Sequence, residues 1–295
     1  MNLSLSRSFP IAKAALAAAV IACVVALTCS LVGCASGGTG SSSADADNTS
    51  ASTDGKTLRV AMELAYPPFE TKDDAGNPEG LAVDFIRDFG AAYGYDVQIE
   101  NTAWDGLIPS LQSDKADLVI SSMTITDERK QSVDFSDAYA MAQLAILANA
   151  DSGVASIDDL NQPGKKVAVK TGSTGDVYAT KNLTNAEIVR LADESACVTE
   201  VVQGKADGFL YDQLTIYRNH QANPDTTEAV FIPFQDAEEW GIAVKKGNTE
   251  LLDQLNAFIA QSKTDGEFDR LTEKYLADEK KAFDQYGFKW FFDFE

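Results

Sequence analysis

Between Asp117 and Tyr139 the chain reads DLVISSMTITDERKQSVDFSDAY, and the order of residue types is that of an anion pocket. Leu118-Val119-Ile120 is a short apolar run, the pattern of a buried strand. It breaks into small hydroxyl residues at Ser121, Ser122, Thr124 and Thr126. Asp127, Glu128, Arg129 and Lys130 follow, the composition of a first helical turn. A helix N-terminus carries partial positive charge and unpaired N–H groups. The Arg129 guanidinium can fork onto a carboxylate through two parallel hydrogen bonds. The same residues also fit an ordinary strand-to-helix turn with a surface arginine, and the stretch taken alone does not separate the two.

Elements must hold these groups in place, and the surrounding pattern alternates short apolar runs with helical periods. Strands are expected over 58–62, 96–100, 118–121 and 144–148, with helices over 81–93 and 107–112. The first of these helices carries Val83, Ile86 and Phe89 on one side. A second unit follows, with a one-turn helix over 157–160, strands over 165–170, 187–191 and 208–211, and helices over 175–183, 193–204 and 213–221. Further strands are expected over 229–233 and 240–244, the latter after an acidic break at 236–239. Helices over 250–263 and 267–276 close the pattern, the first with Leu251, Leu252, Leu255, Phe258 and Ile259 on one face. Alternation of this kind predicts parallel, helix-flanked sheets in an α/β protein of two lobes.

Six segments, in order, resemble the polar amino-acid-binding proteins of ABC importers, family 3 of the extracellular solute-binding proteins. Met123-Thr124-Ile125-Thr126-Asp127-Glu128-Arg129 followed by Val133-Asp134-Phe135-Ser136 carries the likeness most specifically. Leu58-Arg59-Val60 with Tyr66-Pro67-Pro68-Phe69, Gly80-Leu81-Ala82-Val83-Asp84 and Trp104-Asp105-Gly106-Leu107-Ile108-Pro109 precede or flank it. Val167-Ala168-Val169-Lys170 and Lys205-Ala206-Asp207 complete the set, over roughly residues 56–275. The resemblance implies the two-lobed, type II periplasmic-binding-protein fold, with the ligand cleft between the lobes. It implies that the chain crosses between lobes near 142–147 and again near 238–242. The expected division is then 57–143 plus 239–295 for the first lobe and 144–238 for the second.

Ligands bind beyond the carboxyl ends of strands in such sheets, and the candidate residues follow strands. The resemblance makes Arg129 the clamp for a ligand carboxylate, with Ser121, Ser122 and Thr124 around it. Thr171-Gly172-Ser173-Thr174-Gly175-Asp176 lacks P-loop spacing; by the resemblance this loop adds N–H groups to the same carboxylate, and Thr174 is the residue chosen from it. Asp212, by itself a good helix N-cap before Gln213, is implied as the anchor for the ligand ammonium. Tyr66 and Trp104 are implied to sandwich the ligand side chain, although aromatics just past strands are more often core. Glu63 and Lys170 would meet the side-chain tip, where an acceptor opposite a donor suits a terminal amide; glutamine is the expected ligand. A Glu63–Lys170 salt bridge without a ligand role is the simpler alternative. A dehydratase for prephenate or arogenate on the same scaffold, with Glu63 or Lys170 as proton donor, and a ligand-sensing receptor subunit are the rival functions.

The N-terminus reads as an export leader over 1–33, with Arg7 and Lys13 before an apolar run over 14–28. Leu31-Val32-Gly33-Cys34 resembles a bacterial lipobox, which makes Cys34 the expected lipidated residue and the tether to the cell membrane. Residues 35–55 are small and polar and are expected to be a flexible spacer. The chain carries a net charge of −21, two units more negative without Arg7 and Lys13, which argues against a nucleic-acid partner. Cys197 is the one cysteine outside the N-terminal segment and His220 the one histidine, so neither a disulfide within the folded part nor a histidine metal site is expected. His220 reads as a solvated loop residue and Cys197 as a packed apolar one. No cofactor, no metal and no catalytic residue is expected. The expected partners are a small amino acid and an ABC permease, for a monomeric receptor on the extracytoplasmic face of the membrane. The aromatic tail over 280–295 is expected to pack on the first lobe.

Overall fold

A computed structural model describes residues 56–286 and 289–294. The expected leader, Cys34 and the spacer lie outside the described residues, as does Phe288. The described chain forms two sheet-containing lobes. In the first, strands run edge to edge as Tyr95–Asn101, Lys56–Met62, Leu118–Val119, Ala243–Lys245 and Val133–Phe135. In the second the order is Glu187–Leu191, Lys166–Lys170, Gly208–Asp212, Leu144–Asn149 and Thr227–Val230.

The expectation of parallel sheets holds for four strands of each five, and it fails at one strand in each. Ala243–Lys245 runs antiparallel to both its neighbours, and so does Leu144–Asn149. These are the strands the chain enters directly from the inter-lobe connections. No helical crossover precedes them, so the rule that makes βαβ units parallel does not bind them. The two connections pair with each other as a short antiparallel ribbon, Ala140–Ala142 with Glu238–Trp240.

Apolar periodicity placed the main helices. Leu81–Tyr93 buries Val83, Ile86 and Phe89 against the first sheet and ends at Gly94, whose φ of 75° is the left-handed cap glycine tolerates. Thr249–Ser262 buries Leu251, Leu255, Phe258 and Ile259 and is capped by the Asn248 side chain. The expected strand over 240–244 is instead two strands broken at Gly241. There the backbone N–H bonds to Met123 O at 3.0 Å, and a Cβ would press within 2.8 Å of the Ile125 side chain. The expected strand over 229–233 lies earlier, at Thr227–Val230, where Val230 pairs with Ile146 and the following Pro233 has no N–H to offer a ladder. Val133–Phe135, Ala140–Ala142 and helix Ala277–Tyr286 had no clear sequence signal of their own. Each is short or polar and is defined by what it packs against.

Phe283, Trp290 and Phe291 of the tail are buried in the first lobe's core beside Phe69 and Trp240. The tail therefore packs on the first lobe, and the Phe291 carbonyl also accepts the Met141 N–H of the connecting ribbon at 2.7 Å. Cys197 is buried on helix Glu194–Val202. His220 is not the solvated loop residue expected: it sits in the last turn of helix Gln213–Ala222, half-buried, with its Nδ1 3.1 Å from the Thr227 carbonyl.

Candidate functional site

A cavity of about 40 Å³ lies between the lobes. Glu63, Tyr66, Trp104, Ser121, Ser122, Thr124, Arg129, Thr174 and Asp212 all line it. Lys170 does not, but its ammonium is hydrogen-bonded to Glu63 Oε2. All ten residues expected at the cleft are thus brought together. A wider concavity, about 890 Å³, lies at the outer edge of the first lobe and includes none of the ten. There Arg59 is already held by Asp117 at 2.7 Å.

Strand ends position these groups. Glu63 follows Lys56–Met62, Ser121 and Ser122 follow Leu118–Val119, and Lys170 and Asp212 are the last residues of their strands. Arg129 sits on the single turn Asp127–Lys130, capped by the Thr126 hydroxyl. Its guanidinium donates to Thr124 O at 2.7 Å and, across the cleft, to Gly172 O at 3.2 Å. Gly172 has a φ of 74°, which turns the loop so that its carbonyl faces the arginine. Burial holds the Arg129 guanidinium below its ordinary range, and the Glu238 carboxylate opposes that shift.

Asp212 does two things at once. Its Oδ1 accepts the amides of Leu214 at 2.9 Å and Thr215 at 3.1 Å, which is the helix cap. Its Oδ2 is buried with no partner in good hydrogen-bond geometry, and the Tyr66 hydroxyl, likewise without one, is the donor that faces it. Burial raises the Asp212 carboxyl above its ordinary range, while the Thr215 amide pulls the other way. Tyr66 stacks on Phe69 at 5.5 Å and meets Trp240 edge-on, so its ring belongs to the core and its hydroxyl to the cavity. Trp104 lies with its ring near two cations, Arg129 at 5.2 Å and Lys170 at 5.3 Å. Glu63 and Lys170 form the salt bridge weighed in the sequence, with side chains 14% and 5% exposed.

Three acids escaped the sequence reading. Glu70 is 1% exposed and accepts the Ser122 hydroxyl at 3.2 Å. Burial pushes its carboxyl well above the ordinary range, the Ser122 hydroxyl lowers it, and Glu63 raises it further. Its signal was its place directly after Tyr66-Pro67-Pro68-Phe69, a turn whose ends are pinned by paired Tyr66 and Glu70 backbone bonds. Glu194, half-buried at the start of its helix, is pushed up to about 8 by burial and by the Asp212 charge. Glu238, read in the sequence as part of an acidic break and of the second inter-lobe crossing but not as a cleft residue, accepts hydroxyls from Thr124 at 2.9 Å and Thr174 at 2.7 Å. Among the described residues no cluster of His, Cys, Asp or Glu has metal-site geometry, and no helix is long and apolar enough to cross a membrane.

Such a set can hold charge at two ends: a guanidinium and hydroxyls at one, a buried carboxylate oxygen at the other. Residues 58–278 match the family described as bacterial extracellular solute-binding proteins, family 3. A probable histidine-binding protein of Neisseria gonorrhoeae is 36% identical over 258 residues, 86% of this chain and 94% of the relative. The L-cystine-binding protein TcyJ of Escherichia coli (strain K12) is 32% identical over 222 residues, 75% of this chain and 82% of the relative. The crystal structure of the ancestral amino acid-binding protein AncCDT-1, a precursor of cyclohexadienyl dehydratase, superposes with a TM-score of 0.68 at 38% identity, covering 74% of this chain and 94% of that one. On the strength of a family match that spans most of its length, the chain belongs to the bacterial extracellular solute-binding proteins, family 3, and works outside the cytoplasm.

Proposed function

We propose that the chain is a receptor for a polar L-amino acid, which it delivers to an ABC permease, and that it performs no chemistry itself. One observation carries the reading. Asp212 Oδ2, on the second lobe, is buried with no partner in a cavity also lined by Arg129 of the first lobe. An unsatisfied buried acceptor costs roughly 1–3 kcal/mol, and more when charged. A ligand ammonium removes that cost while the ligand carboxylate takes Arg129. Because the two charges sit on different lobes, such a zwitterion binds the closed arrangement preferentially.

Glutamine is the ligand of first choice. Its terminal amide offers a donor to Glu63 and an acceptor to Lys170, so that each charge keeps a hydrogen bond when the amide enters between them. Cys34 would carry lipid and the spacer after it would give reach from the membrane. Calorimetry of the purified chain against all twenty L-amino acids tests the reading, with one-site heat from a polar amino acid expected. Flat traces for every one would overturn it. The dehydratase reading has one observation in its favour: Glu70 is a buried carboxyl in the same cavity, pushed by burial well above its ordinary range. Turnover of prephenate by the purified chain would decide for it.

A further inference from the structure

Glu238 sits where neither lobe owns it. Its backbone pairs with Ala142 in the ribbon that joins the lobes. Its Oε2 accepts the Thr124 hydroxyl of the first lobe at 2.9 Å and the Thr174 hydroxyl of the second at 2.7 Å. Its Oε1 accepts Gln235 Nε2 at 2.7 Å. Thr124 and Thr174 are two of the residues assigned above to a ligand carboxylate, one on each lobe, and Glu238 is the strongest opposing charge acting on Arg129. The chain thus presents its own carboxylate to one residue from each lobe at the end of the cleft assigned to a ligand carboxylate. The space beside it is about 40 Å³, room for about two or three waters. Admitting an amino acid therefore requires side chains to move, and Glu238 is the one bonded to both threonines.

We propose that Glu238 is an internal carboxylate that latches the two lobes through Thr124 and Thr174 and competes with the ligand carboxylate for that end of the cleft. The inference rests on the amino-acid-binding reading for the competition, but the latch stands apart from it. Two like charges cannot share the hydroxyls beside one arginine without repulsion. Ligand entry must break the Glu238 bonds, so part of the intrinsic affinity is spent on displacing it. A binding-competent population reduced in this way weakens apparent affinity by the same fraction.

Two variants of the full chain test this. Glu238→Ala removes the charge and both acceptors; Glu238→Gln removes the charge and keeps an acceptor for a threonine hydroxyl. Small-angle X-ray scattering without amino acid reads the latch, and the expected result is a larger radius of gyration for Glu238→Ala than for the unaltered chain. Calorimetry with L-glutamine and L-arginine as probes reads the competition. Whichever probe binds the unaltered chain should bind Glu238→Ala tighter by at least about fivefold, with Glu238→Gln in between. Unchanged scattering together with unchanged or weaker binding would overturn the proposal and make Glu238 a plain brace of the ribbon. If neither probe binds the unaltered chain, it is the choice of ligand that has failed, and scattering alone decides the latch. If Glu238→Ala melts well below the unaltered chain, Glu238→Gln carries the same two readouts, and binding no tighter than the unaltered chain overturns the competition.

Discussion

The two ends of the cleft are built on opposite principles. At the Arg129 end every strong group has a partner within the protein: the guanidinium donates to Thr124 and Gly172 carbonyls, and both threonine hydroxyls donate to Glu238. At the Asp212 end a buried carboxylate oxygen is left without a partner in good hydrogen-bond geometry, and Glu194 is pushed toward its protonated form. The first end is held closed by the chain's own bonds. The second leaves a buried acceptor, Asp212 Oδ2, open to a donor placed there. Glu63 and Lys170, paired across the lobes, lie between these extremes.

Substitutions at five positions break or sharpen that contrast. Arg129→Ala should abolish amino-acid binding altogether, since the guanidinium is the one cation lining the cavity; calorimetry checks this, and binding within about tenfold of the unaltered chain would sink the clamp. Asp212→Asn keeps an oxygen for the Leu214 and Thr215 amides while removing the charge. It should weaken binding by about 100-fold or more yet leave the melting temperature unchanged or raised. A fall in both would mean that the residue is only a cap. Lys170→Met leaves Glu63 as an unpaired, mostly buried carboxylate and should cost about 3 kcal/mol in urea unfolding; the double variant with Glu63→Gln should recover most of it. A single variant as stable as the unaltered chain would show that the pair is a surface contact.

The smallest effect concerns pH. The Glu194 carboxyl is raised in the folded state to about 8 from an ordinary 4.5. The folded state therefore binds its proton more tightly than the unfolded state does. The contribution to stability is present in full below about pH 4.5 and is lost as pH rises through about 8. Thermal melts from pH 5 to 9 should decline for the unaltered chain and flatten in Glu194→Gln. Parallel curves for the two would remove Glu194 from the cleft's charge cluster.

Much of this was legible because it is local. The run from Leu118 to Lys130 spelled strand, hydroxyl turn and helix start, and Thr126 caps that turn through its own side chain. Asp212 was readable as a cap because a short acceptor before a helix bonds amides two and three residues on. Leu81–Tyr93 and Thr249–Ser262 followed from apolar spacing alone. Glu70, Glu194 and Glu238 were not readable, since an acid in a sequence carries no mark of what will surround it. Glu238 lay in a stretch that reads as a polar break, and it became a bridging carboxylate only when the ribbon set it against threonines 114 and 64 residues away.

The sequence by itself determined the main helices, most strands, the Asp212 cap and which residues would stand at strand ends, because these depend on neighbours within a few positions. Tertiary structure alone decided the reversed strand in each sheet, the pairing of Glu63 with Lys170, and the different states of the cleft's two ends. Burial and distant charge decide whether a carboxylate is paired, protonated or left unsatisfied, and both arise only when segments far apart in the chain are packed together.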